Sequence, residues 1–103
     1  MSEPRIRRSP VTPEVATELQ RVVERWRQLP LDHALSYAGR VRELVQSLAD
    51  ALAVADGVAP AVVPDLGPAT LMDQLTVLVH DASAADVTPT LAEDLARLRR
   101  ELR

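Results

Sequence analysis

Six prolines between residues 13 and 89 constrain this chain more than any other feature. A proline ring fixes φ and removes a backbone donor, so it fits the first turn of a helix and breaks its interior. Pro13, Pro30, Pro60, Pro64, Pro68 and Pro89 leave four segments long enough for regular structure. Each segment carries apolar residues at helical spacing.

The first segment runs from Pro13 to Gln28, with Val15, Leu19, Val22, Val23 and Trp26 on one stripe. "LPLD", Leu29 to Asp32, breaks it. The second runs to about Asp56 with Gly57 as a C-terminal stop. Its stripe is Ala34, Ala38, Val41, Leu44, Val45, Leu48, Leu52 and Ala55. At ~1.5 Å per residue this helix approaches ~40 Å and forms the spine. The fourth segment, from about Pro89 to near Arg103, places Leu91, Ala92, Leu95, Leu98 and Leu102 together. "VTPE" at Val11 and "VTPT" at Val87 read as equivalent helix starts. Thr12 and Thr88 would cap, Pro13 and Pro89 would take the first helical position, and Val11 and Val87 would begin a hydrophobic staple.

The third segment is ambiguous. "DQLTVLVHDA", Asp73 to Ala82, contains "LTVLV", which alone reads as a buried strand. A strand needs a pairing partner, and no other segment supplies one. Over a wider window Leu71, Met72, Leu75, Leu78, Val79 and Ala82 share one arc at ~100° per residue, with Val77 the one large apolar residue off it. The spacing predicts a helix from Pro68 to about Ala84.

The expected fold is therefore all-α, a small four-helix bundle-like domain with a long second helix and a Pro-rich loop between helices 2 and 3. Residues 1–11 lack periodicity and are expected to form a flexible N-terminal arm, with residues 12–103 as a single helical domain. The core must be aliphatic, because Phe is absent and Trp26 and Tyr37 are the only aromatics. Trp26 lies on its helix stripe and is expected to be largely buried.

Composition removes several functions. The chain has no cysteine, which excludes disulfides and thiolate chemistry. No apolar run reaches the ~18 residues of a membrane span, and no hydrophobic leader opens the sequence, so a cytoplasmic protein with no membrane partner is expected. Every basic residue is Arg, a bias that fits a GC-rich bacterial genome. Net charge is -3, and its distribution is uneven. Between Arg42 and Arg97 there is no cation, while Glu43, Asp50, Asp56, Asp65, Asp73, Asp81, Asp86, Glu93 and Asp94 all fall there.

The most developed enzyme reading is a metal-dependent phosphohydrolase of the HD type, which resembles this chain in being helical and in a His, His-Asp, Asp order. His33, His80-Asp81 and Asp86 or Asp94 would supply the ligands. Against it, adjacent residues on a helix point ~100° apart, so Asp81 cannot orient His80, and Thr76, Val77 and Ala84 offer His80 no proton partner. A serine hydrolase lacks its G-x-S-x-G elbow. Gly39, Gly57 and Gly67 are too few and too scattered for a phosphate loop. Small helical secretion proteins of similar length carry a W-x-G turn and a Y-x-x-x-[DE] signal. Here the text reads "WRQ" at Trp26 and "YAGRV" at Tyr37, so neither signature is present. No cofactor and no metal are expected.

Nucleic acid binding would rest on Arg5, Arg7 and Arg8 of the arm, because phosphate neutralisation supplies non-specific affinity. Arg97, Arg99, Arg100 and Arg103 instead follow the preference of a helix C-terminus for cations. The remaining reading is an interaction module that binds a copy of itself or a protein partner. Val77, Asp73 and His80 lie on the outer side of helix 3. Val62, Val63 and Leu66 make the preceding loop unusually apolar. Gly39 lies opposite the stripe of helix 2, where it costs ~1 kcal/mol relative to Ala and would admit another backbone closely.

Overall fold

The computed structural model describes residues 11–103. The predicted arm with Arg5, Arg7 and Arg8 lies outside the described residues, save for Val11. Four helices follow: α1 Pro13–Gln28, α2 Leu31–Ala55, α3 Leu71–Ala85 and α4 Leu91–Glu101. No strand occurs among the described residues, so "LTVLV" is helical. No helix among them is long and apolar enough to cross a membrane.

α1 starts as its sequence dictates. The Thr12 hydroxyl accepts the Val15 N–H at 3.2 Å, and Pro13 takes the first position. It stops because Pro30 forces Leu29 into the extended region, at φ -75 and ψ 141. The break is shorter than "LPLD" suggests. Pro30 already accepts the Ala34 N–H at 2.8 Å, so Leu31 and Asp32 belong to α2. Asp32 in the first turn suits the positive end of the helix dipole, and its carboxylate accepts the His33 N–H at 2.9 Å.

α2 ends in a Schellman motif. Gly57 has φ 72, its N–H reaches the Val54 carbonyl at 3.1 Å, and the Val58 N–H reaches Ala53 at 2.9 Å. The chain then doubles back along α2. Gln46 holds this return loop by both ends of its amide, donating to the Ala61 carbonyl and accepting the Val63 N–H, each at 2.9 Å. Arg42 pairs with Asp65 at 2.7 Å, and Gln74 donates to the Pro64 carbonyl at 3.0 Å.

Two predicted starts are corrected. Pro68–Thr70 form one 3-10 turn, and α3 begins only at Leu71. α4 begins at Leu91, not Pro89, and Thr88 does not cap it. α3 ends with Asp86 in the left-handed region (φ 55, ψ 44), with Asp86 bonded to Ser83 and Val87 to Ala82. This second Schellman exit commits Val87 and turns Thr88 inward. The Thr88 hydroxyl is buried without a hydrogen-bond partner among the described residues. A turn from Thr88 to Leu91 leads into α4, and the Thr90 hydroxyl bonds the Asp94 carboxylate at 3.1 Å.

α2 packs chiefly on α3, and α1 on α4, with slighter α1–α3 and α2–α4 contact. Arg99 meets Glu18 at 2.7 Å, and Arg25 meets the Leu102 carbonyl at 2.9 Å. Both pairings advance along the two chains together, so α1 and α4 run in the same direction. The shared core is Val22, Val41, Val45, Leu48, Leu71, Leu75, Val79, Leu95, Leu98 and Leu102, with no buried polar residue among the described ones. Each such Leu or Val contributes about 1.5–3 kcal/mol of transfer free energy.

Trp26 is only half-buried at the edge of this core, against the expectation of near-complete burial. α1 packs little on α2, so no element closes over the end of its stripe. The far end of the α2 stripe is likewise uncovered. Leu52 is half-buried and Ala55 exposed, because α2 outruns α3.

Candidate interaction surface

α3 has two unlike faces. Leu71, Met72, Leu75, Val79 and Ala82 are buried. Asp73, Val77, His80 and Asp81 are exposed, with Val77 57% accessible. The wheel drawn from sequence therefore has the right rotation, and Val77 lies outside the core.

His80 departs from expectation in one respect. Its helix does supply a partner, because Nδ1 lies 2.9 Å from the Thr76 main-chain carbonyl. A carbonyl can only accept, so Nδ1 carries the proton. The hydroxyl of Thr76 is occupied separately, donating to Met72 at 2.8 Å. Side-chain spacing alone did not find this contact, since the acceptor is backbone.

His33 belongs to a different place. Its Nε2 donates to the main-chain oxygen of Arg103, and its ring meets Tyr37 edge-on at 5.4 Å and 77°. The Tyr37 hydroxyl donates to the same oxygen at 3.0 Å. Arg40 pairs with Glu101 at 2.6 Å, and Arg25 takes Leu102. Three of these side chains meet main-chain oxygens at the end of α4, where a helix leaves acceptors unpaired, and Arg40 forms an ion pair with Glu101, whose buried Oε1 has no hydrogen-bond partner among the described residues. His33 and His80 thus serve separate elements. No group of three His, Asp or Glu able to hold a metal ion occurs among the described residues.

Two shallow grooves flank α3. One, of about 430 Å³, is lined by Gly39, Arg42, Val45 and Gln46 of α2, by the loop at Val62 to Asp65, and by Gln74 of α3. It brings Gly39, Val62 and Val63 together, which their positions in the sequence did not reveal. The roles differ, however. Val63 is half-buried against the core, its N–H held by Gln46, so it mainly anchors the loop. Val62 and Leu66 are 86% and 63% exposed. A Cβ at Gly39 would meet nothing within 4 Å, so packing within the bundle does not require glycine there.

The second groove, of about 400 Å³, lies between α1 and α3 and is lined by Val11, Ala16, Leu19, Gln20, Val23, Glu24, Arg27, Thr76 and His80. Val77 stands on the ridge between the two. Gln74, three residues before it, lines the first groove, and His80, three residues after it, lines the second. Arg42, Gln46 and Gln74 were missed by sequence reasoning. Their polar positions on helices carry no signal until the loop returns to meet them.

Among the described residues the large exposed apolar ones are Leu31, Leu35, Val54, Val58, Val62, Leu66 and Val77. All belong to α2, the return loop or α3, and none to α1 or α4. The stretch from Asp56 to Thr90 also carries five aspartates and no cation. No protein-family model, curated protein or solved structure matches this chain.

Proposed function

We propose that this protein is a small helical interaction module that self-associates through the outer face of α3 and the adjoining loop, with no catalysis of its own. The observation that carries this reading is the segregation of exposed apolar residues onto the α2–loop–α3 half. Scattered surface valines and leucines need no explanation, but their confinement to α2, the loop and α3 has the character of a contact surface. Val77 on its ridge and the open groove at Gly39 offer convex and concave parts of one patch. A patch of this kind can pair with itself about a two-fold axis.

The test is Val77→Glu, measured by sedimentation and thermal unfolding. The wild type is expected to sediment as a dimer or larger. The variant is expected to shift toward monomer, because a charge would enter an apolar contact. Its folding stability should stay within about 0.5 kcal/mol of wild type, as for other surface substitutions. A wild type that stays monomeric over the whole concentration range would defeat self-association. An unfolded variant would show that Val77 contributes to the core.

A further inference from the structure

We propose that self-association pairs α3 with α3 of a second copy in antiparallel fashion, so that His80 of each chain meets Asp73 of the other and association takes up protons. The inference rests on the self-association reading and adds its register and its regulation. The first observation is the outermost line of α3. Asp73, Val77 and His80 are all exposed, with Asp73 four residues before Val77 and His80 three after it. At ~100° per residue the three fall within ~60° of one another, on the side opposite Leu75, Val79 and Ala82. Charge then selects the direction. α3 carries Asp73 and Asp81 and no Lys or Arg. Parallel pairing would set Asp73 on Asp73 and His80 on His80, like on like. Antiparallel pairing about a two-fold axis near Val77 sets each Asp73 on the other copy's His80 and brings the two Val77 side chains together. The same contact does not form within one chain, where seven residues separate the two, roughly 10 Å along the axis.

The second observation fixes the polarity of the imidazole. Nδ1 donates to the Thr76 carbonyl at 2.9 Å, which leaves Nε2 for the second copy. In a neutral ring with Nδ1 protonated, Nε2 only accepts, as a carboxylate does; in the charged ring it donates. Contact with Asp73 therefore requires the imidazolium, which also reduces the repulsion between two acidic faces. The other charged groups around His80 do not replace this pairing. On α1, Glu24 and Arg27 line the same groove and are opposite in sign. On its own helix, Asp81 points ~100° away. On α2, Arg42 lines the other groove and pairs with Asp65. A dimer that binds protons the monomer does not is favoured as pH falls and weakened as pH rises, across the range where imidazole changes charge.

The test is sedimentation equilibrium of the whole chain at about pH 8 and about pH 5.5, with circular dichroism to check that each variant stays helical. The wild-type dimer should tighten roughly tenfold at the lower pH, as two partly exposed pairs form. His33→Gln should keep that change, since His33 serves the end of α4. His80→Gln and Asp73→Asn should each abolish it. The exchange Asp73→His with His80→Asp should restore it, because antiparallel pairing returns the same contacts. The proposed register fails, while self-association stands, on any of three results: a dimer of equal strength at both pH values, a dependence that survives Asp73→Asn, or an exchange that does not restore it. A wild type that is monomeric at both pH values removes the self-association reading and this inference with it.

Discussion

The two helix pairs of this bundle are held together differently. α1 and α4 are the charged pair, joined across their interface by Arg99–Glu18 and by Arg25 on the Leu102 carbonyl. Every large apolar residue exposed among the described residues lies outside them. α2 and α3 are the apolar pair. Among the described residues no ion pair links these two helices directly, and the polar contacts there instead hold the loop. The contrast teaches that among the described residues α1 and α4 leave no large apolar side chain fully exposed, while α2, the loop and α3 leave several.

Substitutions can break or sharpen this contrast. The largest effect is expected at Leu75, fully buried on the inner face of α3. Leu75→Ala should cost about 2–5 kcal/mol, through lost transfer free energy and a cavity, as read by denaturant unfolding. A cost below that of an exposed leucine would mean that α2 and α3 are not packed through this face. Trp26→Ala comes next. Because Trp26 is half-buried, the loss should fall near ~2 kcal/mol, below the 3–5 typical of large aromatic truncations. Wild-type fluorescence should accordingly be intermediate between buried and solvated.

Arg99→Ala should have a smaller effect. Its side chain and that of Glu18 are 23% and 17% exposed, so the pair is partly screened and worth about 1 kcal/mol or less. That loss should shrink in 1 M salt, where the Debye length is only ~3 Å. Leu75→Ala should show no such dependence. If Arg99→Ala were salt-independent, the Arg99–Glu18 pair would add no screened charge contribution to the packing of α1 on α4, and the contrast between the pairs would disappear. The smallest effect on folding is that of Val77→Glu, whose consequence is expected in association.

Much of the fold was legible because its signals are local. Pro13 and Thr12 define the start of α1 through bonds within four residues, and Gly57 stops α2 by adopting a conformation that other residues resist. The candidate surface was legible only in part. Val77, Val62 and Leu66 were found as apolar residues off a stripe or in a loop, and all are exposed. Val63, with the same loop signature, turns inward because Gln46, seventeen residues earlier, captures its N–H.

The two "VTP" stretches show where local information ends. Both offer the same cap, yet only Thr12 uses it. Thr88 follows a helix that exits through left-handed Asp86, and its hydroxyl is buried without a hydrogen-bond partner among the described residues instead of capping α4. By itself the sequence determined that the chain would be helical, where α1 and α2 would lie, and which face of α3 would be buried. These depend on spacing and backbone preference over a few residues. Tertiary structure alone decided which helices pair, that α1 and α4 run in the same direction, that His33 and Tyr37 close the end of α4, and that Gly39 shares a groove with Val62. Such choices depend on the summed packing of segments far apart in the chain, and a stripe of apolar residues records that it must be buried without recording against what.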